Sequence, residues 1–294
     1  MADTMTSPSL EQLSAAMADA VAAASRSVVA VHAARSRASG FVWRDGLVVT
    51  SEESLPDEGD VAVLLPDGGK LRASIVGRDA ATDVALLRVE GQAPSPIAFD
   101  AAPVRTGSIA LAVGSQAGTA VAAAGVVSLV GPAWRSLRGG DIDMRIELGL
   151  VMRRSVEGGL ALDARGRAIG MPVFGPRGRV IVIPGTTVER VAAQLAATGR
   201  VPRGYLGVAL QPVKVEPDGI GAMVMGIDRD GPGAAAGMRQ GDVILAWNGE
   251  PVRSVHMLLR ALGPSSVGTA VKLSLRRAGE PVEQTITIGE RPAD

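Results

Sequence analysis

The feature that most constrains this chain is a train of short β-branched runs, separated by turn signals, with no helix-length periodic segment among them. VVAVHA (28–33), GFVW (40–43), LVVT (47–50), VAVLL (61–65), RASIVG (72–77) and VALLRV (84–89) come first. Asp45-Gly46 and Pro66-Asp67-Gly68-Gly69 punctuate them. SIALAVG (108–114), AGVVSLV (124–130), MRIELGL (144–150), RAIGMPVF (167–174) and RVIVIP (179–184) follow. Strands spaced by roughly 8–12 residues without helices between them fold antiparallel, as a sandwich or a pair of barrels, and not as βαβ units.

Helical patterns flank this region. Ser9 with Gln12 forms a capping box, and Leu10, Leu13, Met17, Val21 and Ala24 keep helical spacing over 9–24. The polar face lacks Lys and Arg, so the segment reads as a packing helix and not a membrane-surface one. Thr186 with Glu189 predicts a second capping box. Val188, Val191, Ala192 and Leu195 form that helix's apolar stripe, and Gly199 is its C-terminal glycine. The connector GRVPRG (199–204) then leads into a smaller α+β unit. Its strands are expected at YLGVAL (205–210), AMVMGI (222–227), DVILAWN (242–248), VKLSL (271–275) and EQTITI (283–288). A short helix is expected at 233–236, ended by Gly237. A longer one follows Ser254, carries Val255, Leu258, Leu259 and Leu262, and stops at Gly263-Pro264.

Charge and cysteine usage narrow the chemistry. Lys plus Arg and Asp plus Glu are 30 each, a balance that argues against a nucleic-acid binder or an anionic-membrane binder. Aromatics are only 2%, so the cores must be built from Val, Leu, Ile and Ala. Zero cysteines exclude disulfides, thiol nucleophiles and cysteine metal sites. With two histidines, His32 and His256, any imidazole-dependent catalysis must use one of them. No run has the length of a transmembrane helix. The N-terminus has no basic region before an apolar core, and Asp3, Glu11 and Asp19 interrupt it. The expected location is cytoplasmic, with the periplasm as the alternative if a native leader was removed.

GFVWRDGLVVT (40–50), IVGRDAATDVALLRV (75–89), LAVGSQAG (111–118), AGVVSLVG (124–131), GGLALDARGRAIGM (158–171) and YLGVALQPV (205–213) together resemble the HtrA/Deg family. So does GPGAAAGMRQGDVILAWNGEPV (231–252). The resemblance covers about residues 9 to 290. It implies a mostly β chain: a trypsin-like double β-barrel followed by a C-terminal α+β PDZ domain. The domains are then expected as a helical segment at 1–26, the trypsin-like domain at 27–198, a linker at 199–204 and the PDZ domain at 205–294.

The resemblance also implies a Ser-His-Asp triad in the cleft between the barrels. Asp83 stands where the family's triad Asp stands, while Glu53 falls at the His position and Glu157, just before Gly158-Gly159, at the Ser position. Ser155 replaces the oxyanion glycine, and Arg153-Arg154 precedes it. A carboxylate attacks carbonyls poorly and repels a developing oxyanion, so none of these residues is expected to be catalytic. His32 is expected as an ordinary strand residue, and His256 belongs to the PDZ domain. Glu53, Asp83 and Glu157 also make a weak candidate cation site, or a carboxylate pair for glycoside hydrolysis. The plainer reading has these carboxylates solvated in an open cleft, beside Arg153 and Arg154.

The resemblance further implies that a peptide C-terminus adds to the PDZ sheet as a strand. Its carboxylate would rest on Tyr205-Leu206-Gly207-Val208, its backbone would pair with Val208 to Leu210, and Val255, His256 and Leu259 would read its side chains. Small aliphatic terminal residues are expected. The function implied is a pseudoprotease that binds polypeptide C-termini or unfolded segments, as an adaptor, a chaperone-like protein or a partner of an active homologue. The alternative is an active HtrA-like serine endopeptidase or a peptidase of unconventional mechanism. No cofactor is implied. A homo-oligomer is expected, but the family's trimer relies on N-terminal aromatics, and none precedes Phe41 here.

Overall fold

The computed structural model describes residues 9–33, 36–57, 60–100, 103–136, 138–216 and 219–292. Expectations that reach into residues 1–8 or 293–294 lie outside the described residues. One compact unit runs through Arg200 and a second begins at Val201, with the described stretch 138–140 grouping with the second.

Helix α1 (Leu10–Ser25) opens the first unit under the expected Ser9–Gln12 capping box. Its stripe is buried only toward the C-terminal end: Ala24 is 3% exposed, whereas Leu10 is 86% exposed. Strands β1 (Val28–Ala33), β2 (Ser36–Arg44), β3 (Leu47–Ser51), β4 (Val61–Leu64), β5 (Lys70–Asp79) and β6 (Val84–Val89) close into an antiparallel barrel in the order β1-β2-β3-β6-β5-β4. Its core is aliphatic, including Val29, Val31, Val42, Val48, Val63 and Leu87.

The second barrel uses β7 (Ile109–Gln116) and β8 (Thr119–Gly131). The small ribbon β9 (Trp134–Arg135) and β10 (Asp141–Ile142) follows. Then come β11 (Arg145–Gly149), β12 (Leu160–Asp163), β13 (Ala168–Phe174) and β14 (Val180–Pro184), and the barrel order is β11-β14-β13-β12-β7-β8. Strand β8 is longer than its β-branched run predicts, because Thr119–Ala123 pairs along its whole length with β7. Helix α2 (Gly185–Thr198) buries Val188, Val191, Ala192 and Leu195 and ends on Gly199 at φ 74°. The expected Thr186–Glu189 capping box does not form. The N-cap is Pro184, the helix starts at Gly185, and Thr186 is already inside the first turn.

The second unit begins with β15 (Gly204–Tyr205), which pairs with β22 (Gly289–Glu290). The expected strand 205–210 is therefore interrupted, and β16 starts at Val208 (Val208–Val215). With β17 (Gly219–Ile227), β18 (Val243–Trp247), β20 (Ala270–Arg277) and β21 (Glu280–Thr287) it forms a sheet in the order β16-β17-β18-β20-β21, and β19 (Glu250–Pro251) pairs with β18. Helix α3 (Pro232–Ala235) and helix α4 (Val255–Ala261) pack with it, and Ser254 caps α4 by accepting from the Met257 amide. Leu206, Val224, Ile244, Leu258, Leu273 and Ile286 form the core.

Candidate functional site

Asp83 sits just before β6, at φ 58°, a left-handed conformation that Asp tolerates better than most residues. The turn before it is fixed by Asp79, whose carboxylate accepts from the Thr82 hydroxyl at 2.7 Å. Strand pairing of β3 with β6 sets Ser51 opposite Val84. That register lets the Ser51 hydroxyl donate to both Asp83 oxygens, at 2.9 and 3.0 Å, while the Glu53 amide donates to Oδ1 at 2.8 Å.

Glu157 is placed by a different device. The 3-10 turn Arg154–Val156 precedes it, and Gly158 follows at φ 79°. A Cβ on Gly158 would lie 2.5 Å from Ser39 O and 2.8 Å from Ser51 N, so only glycine fits. The Ser39 amide donates to Glu157 O at 2.8 Å, and the Ser39 hydroxyl donates to Ser155 O at 2.6 Å, tying this loop to the first barrel. The Glu157 side chain is only 6% exposed and accepts from the Phe174 amide at 3.2 Å. The Arg154 guanidinium lies over the Phe174 ring, 5.6 Å from its centroid.

Burial pushes the Asp83 carboxyl up to about 7; the Glu53 amide and Ser51 hydroxyl oppose this, and the Glu53 and Glu157 carboxylates add to it. Burial also raises Glu157, against the Phe174 amide, the Arg154 charge and the Ser54 hydroxyl. That hydroxyl is near enough to favour the ionised carboxylate, but it is buried and completes no full hydrogen bond. The open, solvated cleft of the plainer reading is thus corrected for Glu157, which is sealed by its own loop and by β13. The weak cation site is corrected too. Among the described residues no group of three acidic or His side chains is arranged to hold a metal. Glu53 is exposed, and the Asp83 oxygens already accept from Ser51 and Glu53.

The backbone around Glu157 is closed upon itself. The Val156 amide donates to Arg153 O at 2.9 Å, and the Glu157 amide donates to Arg154 O at 3.1 Å. The Gly158 amide donates to Pro172 O at 3.0 Å. An oxyanion hole needs amides aimed at the reacting carbonyl, and the Glu157 amide is already bonded within its own turn. The Ser155 hydroxyl is buried without a partner. His32 lies half-buried in β1 and His256 on α4 of the second unit.

In the second unit, β16 is an edge strand of the sheet. A groove of about 460 Å³ runs beside it, lined by Tyr205, Leu206, Gly207, Val208 and Leu210, with His256 and Leu259 from α4. Gly207 has φ 69°, and a Cβ there would lie 2.9 Å from Gly231 Cα. Val255 is half-buried and packs against the core, beside the groove. On a helix, Val255 and Leu258 share the core-facing side, which turns His256, Leu259 and Arg260 together toward the groove. Leu262, Arg203, Arg260 and Arg291 also line it. In the sequence Leu262 shows only helical packing spacing, and the arginines stand out by no motif, because isolated surface cations carry no pattern.

Two antiparallel barrels with a loop-built cleft, followed by an edge-strand groove module, define a trypsin-like fold coupled to a PDZ fold. Residues 38–171 match the trypsin-like peptidase domain and residues 204–288 match the PDZ domain. The chain is 33% identical over 274 residues to a "Probable periplasmic serine endoprotease DegP-like" of Chlamydia trachomatis, an alignment covering 88% of this chain and 55% of that protein. The chain therefore spans about half the length of the curated relatives it matches. The serine endoprotease structure from Yersinia pestis superposes with TM-score 0.73 at 25% identity, covering 98% of this chain and 100% of the other. An HtrA-type protease AlgW solved with a tripeptide gives TM-score 0.69 at 25% identity, over 94% and 98%. The chain belongs to the HtrA/Deg family. The cytoplasmic expectation is corrected: relatives carry the name periplasmic. No helix among the described residues is long and apolar enough to cross a membrane.

Proposed function

We propose that this chain is a periplasmic polypeptide-binding member of its family, whose PDZ groove captures C-terminal tails and whose trypsin-like cleft does not perform acyl transfer. It serves as an adaptor, a chaperone-like protein or a regulatory partner. One observation supports this above others: Glu157, which the resemblance aligns with the attacking hydroxyl, is a buried carboxylate whose own amide is bonded to Arg154 O. Acyl transfer needs a nucleophile, a base of matched pKa and an oxyanion pocket. Neither histidine lies in the stretch from Ser51 to Ser54 or from Ser155 to Gly159. Casein digestion by the full chain tests the reading: no cleavage above a heat-inactivated control is expected, and sustained cleavage overturns it.

A second reading has a specific observation behind it. The relatives are named serine endoproteases, and those names favour a serine endopeptidase over an inert cleft. Under that reading Ser54 and Ser155, both with hydroxyls lacking a full hydrogen bond, are the candidate nucleophiles.

A further inference from the structure

We propose that Asp228 is a positioning residue of the PDZ groove: it holds the Tyr205–Val208 loop so that the Gly207 and Val208 amides face a bound terminal carboxylate. This rests on the tail-binding reading above and deepens it. The Asp228 amide donates to Gly207 O at 2.8 Å, and the Tyr205 hydroxyl donates to Asp228 Oδ2 at 3.0 Å. One residue thus ties down the loop on both sides of Leu206. Its own turn is closed by two further bonds. The Asp230 amide donates to Asp228 Oδ1 at 3.2 Å, and the Gly231 amide to Asp228 O at 3.1 Å. Gly231 in turn lies against Gly207: a Cβ on Gly207 would sit 2.9 Å from Gly231 Cα, and a Cβ on Gly231 3.0 Å from Gly207 Cα. The Gly233 amide completes the brace by donating to Leu206 O at 2.7 Å.

The consequence follows from the planarity of the peptide unit. In a trans peptide the C=O and the following N–H point in opposite directions. The Leu206 and Gly207 carbonyls are both turned onto residues 228–233. The Gly207 and Val208 amides are therefore turned away from that segment. Gly207 and Val208 line the groove, whereas none of the described residues 228–233 does. Two successive amides presented to one concavity suit a carboxylate. Asp228 acts on the tail through this loop and not by touching it. Its carboxylate is exposed, so the tie to Tyr205 is modest and its loss is read as a several-fold change in affinity.

Tyr205 is the chain's single tyrosine, so ultraviolet titration reads its tie to Asp228 directly. By accepting its hydrogen bond, Asp228 holds the Tyr205 phenol above its ordinary pKa, and Asp228→Ala should return it toward that value. Fluorescence anisotropy on the full chain then compares a labelled Val-terminated peptide with its C-terminally amidated copy. Asp228→Ala is expected to weaken the free acid roughly fivefold and leave the amidated peptide unchanged, so the preference for a free terminus shrinks. Tyr205→Phe should weaken the free acid likewise, and the double variant no further than either single one. Asp228→Asn, which keeps an acceptor for the phenol, should retain most of the affinity. An equal loss for both peptides, or an unchanged free-acid preference once the phenol is released, overturns the positioning role and leaves tail binding standing. Equal binding of the two peptides by the unmodified chain overturns tail binding itself. Should Asp228→Ala not fold, Tyr205→Phe, which removes only a hydroxyl, decides the matter by the same comparison.

Discussion

The Ser51 hydroxyl donates to both carboxylate oxygens of Asp83, at 2.9 and 3.0 Å, across the β3–β6 junction. Ser51 is fully buried, so the acid is held by its own barrel and needs no imidazole to fix its orientation. An aspartate in this state is part of the fold's support, and its cost is electrostatic.

That cost gives a pH prediction. Asp83 ionises at about 7 in the folded chain and near 3.8 when unfolded. Between those values the folded state binds more protons than the unfolded one, so stability falls as pH rises from about 4 to about 7 and levels off above. The fall is at most a few kcal/mol, at ~1.4 kcal/mol for each pH decade in which only the folded form keeps its proton. Asp83→Asn retains an oxygen for Ser51 and the Glu53 amide. It should flatten the slope and raise stability at pH 8 while leaving pH 4 unchanged. Urea melts at several pH values read this directly, and an unchanged slope would contradict it.

Gly158→Ala should be among the more damaging single changes in the trypsin-like unit. The added Cβ meets Ser39 O and Ser51 N in a conformation with φ 79°. Strain and collision together predict a loss of about 2–4 kcal/mol. Thermal unfolding measures it, and a near-neutral result would mean the loop is free to move aside.

Ser39→Ala should also destabilise, by about 1–3 kcal/mol. Its Oγ donates to Ser155 O at 2.6 Å and accepts from the Ser115 amide at 2.7 Å, so its removal leaves two backbone groups without that partner. Hydrogen exchange at Ser115 should accelerate. Ser39→Thr keeps the oxygen and should recover part of the loss.

Gly207→Val should weaken free-acid peptide binding by more than roughly tenfold, since a β-branched residue at φ 69° is strained and meets Gly231. Near-unchanged binding would place the tail elsewhere than at this loop.

Much of this architecture was legible beforehand because β-branched runs announce themselves. Strand β12 escaped notice because Leu160–Asp163 is LALD, without a β-branched residue. The start of β8 escaped for the same reason, being rich in alanine. The α2 cap was misplaced because Thr186 and Glu189 satisfy a capping pattern that the preceding Pro184 makes unnecessary. Glu157 was legible through its glycine pair, and the structure adds a reason for Gly158, its positive φ. The burial of Glu157 was not legible: it depends on β13 and on Ser39, 118 residues earlier by 157 − 39. The rotation of α4 was not legible either, because a residue's side of a short helix depends on how that helix packs against the sheet.

The central claim is that this cleft holds no activated hydroxyl, and labelling tests it most directly. Incubation of the full chain with a fluorophosphonate, followed by intact-mass measurement, is predicted to leave the mass unchanged while a trypsin control is fully modified. Stoichiometric mass gain mapped to Ser54 or Ser155 would contradict the account and establish the endopeptidase reading in its place.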